Sequence, residues 1–487
     1  MRSLNVNLLS VFGEFYMNIA TIGRWFSVMK QRLLQDKVSH SKIVYSWHLD
    51  SPSANGDCLV SPEGDRLVQG WVLFNSEYLY LIPKSHIVLQ WNSDYELVYF
   101  LDVERPDVVS RILKETSDSH AQLRCGFKIL LPPDASIFNL SLACDDRKIH
   151  LAMVHTKPII KNVIKPKVLE GRDGWLFLDN DTNHSVDQHA GKIRISDKGL
   201  REWEVYANDI SAYTSSLKSE PVVLVAPTKE SVMHQYHPKE KSLTSCLANV
   251  FNAIDKLKVV YPVEELAVAG ESSFYKTDTH WTHKGASLAA FYSIKALNLP
   301  IDDFNRILIN DVYKSVNHVG DLGNKFDPHL SSPADILVSF HYRHKICYDN
   351  GLPNFGRLLI TQNDEAISDS SCLVFGSSSF YSMLSYLCRF FKTLVFVHSA
   401  GNVDRSLVNS MSPDYLLVQT NARFMIRPPT NNYNLLEVIT KKQNELTEEQ
   451  IIHQLSIQNI SNLDCVHQLG LNPWHQPIQY FISTDKR

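Results

Sequence analysis

The segment Tyr275-Lys-Thr-Asp-Thr-His-Trp-Thr-His283 places a carboxylate, two imidazoles and an indole within nine residues. Asp278 and His280 stand two apart, and in an extended segment residues i and i+2 face the same way. A carboxylate so placed fixes the imidazole tautomer and stabilises its charged form. His280 then reads as a general base in need of a nucleophile. A lone Asp-x-His more often does no more than cap the next helix, so a second stretch has to tip the balance. Leu373-Val-Phe-Gly-Ser-Ser-Ser-Phe380 is an apolar run ending in a glycine and three serines. Residues 372–375 read as a buried strand, Gly376 as a tight turn with an unusual backbone angle, and residues 381–391 as a helix. A serine at such a strand-to-helix turn is where acyl-transfer chemistry places a nucleophile, with backbone N–H groups at the helix start available to an oxyanion. A serine at that position is also a common N-cap.

Together the two stretches resemble the SGNH hydrolase-like domain of the alginate O-acetyltransferases and their relatives in bacterial polysaccharide modification. Asp278-Thr-His280-Trp281 is similar to the family's D-x-H-W motif, and Gly376-Ser377-Ser378 to its G-D-S or G-T-S motif, in the family's order. Gly171-Arg-Asp-Gly-Trp-Leu-Phe177 resembles the opening of the domain, Val225-Ala-Pro-Thr-Lys-Glu230 its strand-end P-x-K segment, and Asn363-Asp-Glu-Ala366 the segment before the nucleophile strand. The stretch from Pro413 to Phe424 resembles the last strand. The likeness covers residues 165–430. The chain departs from the pattern in having Ser377 where the family has an acidic residue or Thr, three consecutive serines, and Asn421 where Glu is usual.

The resemblance implies an O-acetyltransferase acting on a bacterial polysaccharide or its precursor through an acyl-serine intermediate. Ser378 would be the nucleophile, His280 the base and Asp278 the residue that orients it. An ungapped match from Gly376 selects Ser378, whereas the family's Ser-aromatic pair selects Ser379, before Phe380. Trp281 would wall the site, and Tyr275, Lys229, His283, Asn402 and Arg423 are candidate substrate or oxyanion contacts. Acetyl-CoA is the implied donor if the chain stays inside the cell, although no CoA-binding motif is visible. The same triad with water as acceptor would be a carbohydrate acetyl esterase, and a third alternative is a non-catalytic glycan-binding or scaffold protein.

The surrounding architecture is read from composition and pattern. The chain has 487 residues, 44% of them hydrophobic, enough for two or three domains. A net charge of −4 leaves no electrostatic footprint for nucleic acid. Eight scattered cysteines form no C-x-x-C pair, which argues against a zinc knuckle or a redox motif and favours a cytoplasmic setting. No G-x-G-x-x-G or P-loop appears. Residues 1–41 read as an amphipathic helix, with apolar positions recurring through 4–36, lacking a secretory signal and too interrupted to span a bilayer. Such a helix could rest on the inner membrane face, or pack on its own protein as amphipathic helices ordinarily do. Residues 42–160 read as a β-sandwich of short strands, 67–74, 78–82, 86–91, 97–101, 126–131, 138–144 and 149–155. The aromatics Trp71, Tyr78, Tyr80 and Trp91 are expected in its core. Residues 157–167 read as a connector. Beyond them, strands alternate with helices, which implies an α/β fold with a parallel sheet flanked by helices and sites beyond the carboxyl ends of its strands. Residues 300–360 read as a loop-rich insertion whose His and Asp residues match no standard metal-ligand spacing. Gly320-Asp-Leu-Gly323 within it is similar to a family segment near the site. Residues 431–487 read as a helical tail.

Overall fold

A computed structural model describes residues 42–61, 65–132, 135–157, 168–458 and 462–476. The amphipathic helix expected over 4–36 and nearly all of the 157–167 connector lie outside them. Two compact units divide the chain between Lys165 and Pro166.

The N-terminal unit is built of two antiparallel sheets. In one, β3 (Arg66–Phe74) pairs with β1 (Val44–Ser51), β2 (Leu59–Val60) and β6 (Gly126–Leu131). In the other, β4 (Ser85–Gln90) lies between β5 (Tyr95–Phe100) and β7 (Ile137–Cys144), and β7 pairs with β8 (Arg147–His155). Period-2 patterning drives them: in β6, Phe127, Ile129 and Leu131 are buried while Lys128 and Leu130 face out. The expected strand at 78–82 is instead part of a 3-10 helix, Ser76–Lys84, in which Tyr78 N–H bonds Asn75 O at 2.8 Å. A short run of Tyr, Leu and Ile carries no decisive period, and β propensity alone misreads it. Trp71 is buried as expected, but Tyr80 is 68% exposed.

The second unit opens with a small hairpin, β9 (Val168–Glu170) and β10 (Leu176–Leu178), followed by the short strand β11 (Ile193–Ile195). Its centre is a seven-stranded sheet. β12 (Val222–Ala226), β13 (Lys258–Val260), β18 (Ser368–Gly376), β19 (Phe391–His398) and β20 (Tyr415–Asn421) run parallel in the order β13-β12-β20-β18-β19. β17 (Leu358–Gln362) and β16 (Ile346–Asp349) extend it antiparallel beyond β19. β12, and the stretches Cys372–Phe375 of β18 and Tyr415–Val418 of β20, are continuous apolar runs because helices cover both faces. β13 is only half-buried because it is the edge strand. On one face lies the helix His283–Ala296, which turns Ala286, Ala289, Ala290 and Ile294 inward at helical spacing. The helix Tyr381–Leu387 joins the same core through Met383, Leu384 and Leu387. The helix Asp197–Ser211 buries Trp203, Tyr206, Ala207 and Ile210 elsewhere on the unit. Each fully buried Leu or Ile in these layers stabilises the fold by about 1.5–3 kcal/mol.

Residues 300–360 are more ordered than their polar composition suggests. They form the helix Asp302–Ile309, an antiparallel ribbon of β14 (Tyr313–His318) and β15 (Ser332–Leu337), and β16. The segment Gly320–Gly323 leaves β14 as a single helical turn. The C-terminal helices pack back onto this unit, with Leu435 and Ile439 buried and Gln454 Nε2 donating to Asn350 O at 2.5 Å. Among the described residues no helix is long and apolar enough to cross a membrane.

Candidate active site

Three loops leave the carboxyl ends of adjacent parallel strands side by side: Pro227-Thr228-Lys229 after β12, Ser377-Ser378-Ser379 after β18 and Ala422-Arg423 after β20. Onto them folds the Asp-Thr-His-Trp segment. It is a compact turn closed by an isolated bridge between Phe274 and Trp281, rather than the extended stretch expected. The i, i+2 pairing survives because the Asp278 carboxylate folds back on its own turn. Its Oδ1 accepts the His280 backbone N–H at 2.8 Å and His280 Nδ1 at 2.7 Å. Lys229 reaches into the turn from beneath and donates to the carbonyls of Tyr275, Lys276 and Asp278 at 3.1, 3.2 and 2.6 Å. Thr282 caps the following helix by accepting Gly285 N–H at 3.1 Å.

His280 therefore sits in a relay. Nδ1 donates to Asp278, and Nε2 accepts the hydroxyl of Ser378, Oγ at 2.8 Å. Burial alone would lower the His280 pKa; the bond to Asp278 and the negative charges of Asp278 and Asp321 outweigh it and raise the value above the usual one. Burial pushes Asp278 the other way, towards neutrality, but its bonds to His280 and His318 hold the carboxyl well below the ordinary carboxylate range. Its Oδ2 accepts His318 Nε2 at 3.2 Å and the Asp321 backbone N–H at 3.1 Å. Asp321 in turn accepts the Thr279 N–H at 2.7 Å. These last contacts need Gly320, at φ +71°: a Cβ there would meet Thr277 O at 2.4 Å and Asp278 Cβ at 2.6 Å. Asp278, His280 and Asp321 offer ligand atoms within 4.8 Å of one another, but these groups are engaged in the hydrogen bonds just described.

The three serines separate cleanly. Ser377 is buried and ties the turn to β20: its N–H donates to Gln419 Oε1 at 2.7 Å, and its Oγ lies 2.9 Å from Gln419 Oε1 and 3.1 Å from Asn421 Oδ1. Ser379 Oγ donates to Asn421 Oδ1 at 3.0 Å, away from His280. Ser378 is the serine that meets the imidazole. Its backbone N–H, at the first position of the 3-10 turn Ser378–Phe380, has no acceptor among the described residues. Gly376 is needed here for close packing rather than for an unusual angle, since a Cβ would lie 2.9 Å from the Phe396 ring.

The other expected contacts divide. Trp281, Arg423 and Lys229 line the pocket in front of His280, together with Asn421 and Glu230. Trp281 is a wall held by its indole N–H, 2.9 Å from Ser379 O and from Ser382 Oγ. Lys229 is 2% exposed and committed to three carbonyls. These bonds brace the turn, and burial lowers the Lys229 pKa to about 8. Tyr275, His283 and Asn402 do not line this pocket. The Tyr275 ring stacks on His318 at 4.3 Å, His283 begins the next helix with a buried Nδ1, and the Asn402 amide shapes its own turn through Ser399 O and Thr430 N–H. Pattern did not assign roles to His318, Asp321, Gln419 or Asn421. For the last two a signal exists: amides two apart at the end of an apolar strand share one face and must be satisfied locally.

Residues 168–322 match the family model of the SGNH hydrolase-like domain of the acetyltransferase AlgX. The probable alginate O-acetylase AlgJ of Pseudomonas fluorescens is 25% identical over 169 residues, 32% of this chain and 41% of that protein. Its namesake in Pseudomonas putida is 28% identical over 180 residues, 34% of this chain and 44% of the relative. The chain thus spans less than half the length of these two relatives. The solved O-acetyltransferase domain of Pseudomonas putida AlgJ is similar with a TM-score of 0.36 and 17% identity, covering 60% of this chain and 99% of that one. The matched stretch supplies Lys229, Asp278, His280, His318 and Asp321. The likeness to the SGNH hydrolase-like domain of the acetyltransferase AlgX is thus a likeness of the 168–322 segment.

Proposed function

We propose that this protein transfers an acetyl group to a glycan hydroxyl through an acyl-serine on Ser378. The observation that carries the reading is the placement of His280 between Asp278 Oδ1 at 2.7 Å and Ser378 Oγ at 2.8 Å. Ser378 Oγ attacks the acetyl carbonyl carbon of an ester or thioester donor while its proton passes to His280 Nε2. The tetrahedral oxyanion is stabilised by the Ser378 N–H and by Asn421. The Asn421 Oδ1 is taken up by Ser377, Ser379 and Gln419, leaving Nδ2 as its donor; such a donor is worth about 3–4 kcal/mol. His280 then returns the proton to the leaving group. In the second half, a sugar hydroxyl attacks the acyl carbon, its proton goes to Nε2, and Ser378 leaves and is reprotonated. Asp278 stays ionised throughout and stabilises the imidazolium. The alginate O-acetylases similar to this chain support a polysaccharide acceptor, and the two sheets of the N-terminal unit are taken as a sandwich-type accessory domain.

The test is acetyl release from a chromogenic acetyl ester, followed by acetyl transfer from acetyl-CoA to glycan acceptors. Loss of turnover in Ser378→Ala and His280→Ala with retention in Ser379→Ala supports the reading. Equal turnover in all four proteins sinks it. Turnover that produces free acetate alone with every acceptor makes the protein an esterase.

A further inference from the structure

A second cavity of about 300 Å³ opens beside the site pocket, on the same carboxyl-end side of the sheet. Thr228, Glu230 and Arg423 line both spaces, so the two adjoin. The far wall is aromatic: Phe251 and Tyr261, ring centres 5.3 Å apart and tilted by 52°. Gln188, Ser242, Thr244 and Ser245 add amide and hydroxyl groups. The volume is at the small end of the range for ligand pockets, about 300–1,000 Å³, which suits one ring and not a nucleotide.

Glu230 carries the argument. It is 8% exposed, yet among the described residues no other side chain bonds or pairs with its carboxyl. The neighbouring cations have other contacts: Lys229 with its three carbonyls, Arg423 with Asp181 at 3.8 Å, and Lys241, in the cavity lining, with Ser231 O at 3.1 Å. Its one recorded hydrogen bond is with its own backbone, and a buried carboxyl so sparsely paired gains from a ligand that brings further donors. Sugar hydroxyls are such donors, and the C–H faces of a pyranose pack on aromatic rings. A phosphate or carboxylate would instead confront Glu230, while the cations of the lining, Arg423 and Lys241, already face Asp181 and the Ser231 carbonyl.

We propose that this cavity is a subsite for an uncharged hexose residue of the acceptor glycan, next to the residue whose hydroxyl is acetylated. The proposal rests on the glycan O-acetylation reading above. It assigns Glu230, Phe251 and Tyr261 a role in choosing the acceptor.

The test measures binding directly, without donor, by titrating the full chain with β-linked gluco-, galacto- and mannotrioses and with trimannuronate. The cavity is filled by Ala248→Trp at its rim, and its carboxylate is replaced by a shape-conserving amide in Glu230→Gln. At least one neutral trisaccharide is expected to bind saturably and more tightly than trimannuronate. Its Kd is expected to rise tenfold or more in Ala248→Trp and about fivefold in Glu230→Gln, a loss of about 1 kcal/mol. Circular dichroism and Tm confirm folding, and Glu230→Gln stands as the test if Ala248→Trp misfolds. Absence of saturable binding to every neutral sugar, a preference for trimannuronate, or an unchanged Kd in the folded variants overturns the proposal. Ester turnover by wild type and its loss in Ser378→Ala reports on the underlying chemistry separately, so the two failures are distinguishable.

Discussion

Replacing Asp278 by Asn removes one charge while keeping the shape of the side chain, and the geometry around it fixes the consequence. Both carboxylate oxygens accept: Oδ1 from two donors of His280, and Oδ2 from His318 and the Asp321 N–H. An amide has one accepting oxygen. If it keeps His280, the NH2 group faces the Asp321 N–H, a buried donor left unpaired at about 1–3 kcal/mol. If it turns the other way, His280 Nδ1 must accept, which puts the proton on Nε2 and leaves no base for Ser378. Either way the imidazolium formed in the reaction loses its charge partner. Ester turnover should fall about 10³–10⁴-fold, the range for a triad whose carboxylate is neutralised. The pH profile carries the sign. In the proposed mechanism His280 acts as base only when neutral, and Asp278 raises its pKa, so the acid limb of the wild-type profile is expected above the ordinary histidine value of about 6.5. With Asp278 neutralised, burial becomes the leading influence on the imidazole, and the limb of the residual activity moves to lower pH. Turnover above a tenth of wild type, or a limb that moves upward, would refute this account of the site.

Other perturbations probe the parts that hold the relay. Ser378→Ala should reduce ester turnover by about 10⁴-fold or more, whereas Ser379→Ala, which removes only a bond to Asn421, should cost less than tenfold; comparison of the two rates checks the assignment. Gly320→Ala forces a Cβ into Thr277 O and a strained φ, so the 320–323 turn must retreat from Asp278. A loss of about 1–3 kcal/mol in stability and a fall in kcat with little change in KM are expected, read by thermal denaturation and ester kinetics. Lys229→Met leaves three carbonyls without their ammonium donor. Turnover should drop with Tm, because the turn that carries His280 loosens. Lys229 also has a pH signature. Its pKa falls to about 8 in the fold from the ordinary value near 10.4, so between those values the unfolded chain holds the extra proton. Stability from this residue therefore rises with pH across that window, by up to about 3 kcal/mol. Denaturant titrations at pH 7.5 and 10 should show the rise in wild type and its absence in Lys229→Met.

What could be read from the chain was what is local. The Asp-x-His-Trp segment and the serines after Phe375 are legible because each packs its chemistry into a few consecutive residues, and the alternation of apolar strands and helices places the serines beyond the carboxyl end of a strand in a parallel sheet. The backbone path of the Asp-x-His turn is not legible, because the two-residue spacing is served equally by an extended strand and by a carboxylate folding back on its own turn. His318 and Asp321 escaped because they reach Asp278 through a ribbon whose docking no linear spacing encodes. The P-x-K likeness marks Lys229 as a candidate contact, and only the fold reveals the three carbonyls to which it donates. Tyr80 and the helical turn around it show the same limit in the N-terminal unit, where a short apolar run lacks a period.

The β14–β15 ribbon lies outside the main sheet, joined to no other strand among the described residues. Yet the end of β14 and the turn that leaves it supply two of the four donors to Asp278 and the carboxylate that holds Thr279. The ribbon that holds Asp278 from this side is thus separate in its strand pairing from the sheet that carries Ser378. Sub-global opening of a peripheral hairpin requires less free energy than melting the central strands. On gentle heating or at low denaturant, the ribbon can detach and silence His280 while the parallel sheet still gives its full far-UV signal. Inactivation would then precede unfolding, and hydrogen exchange in residues 313–337 would report on it before any other measure of folding does.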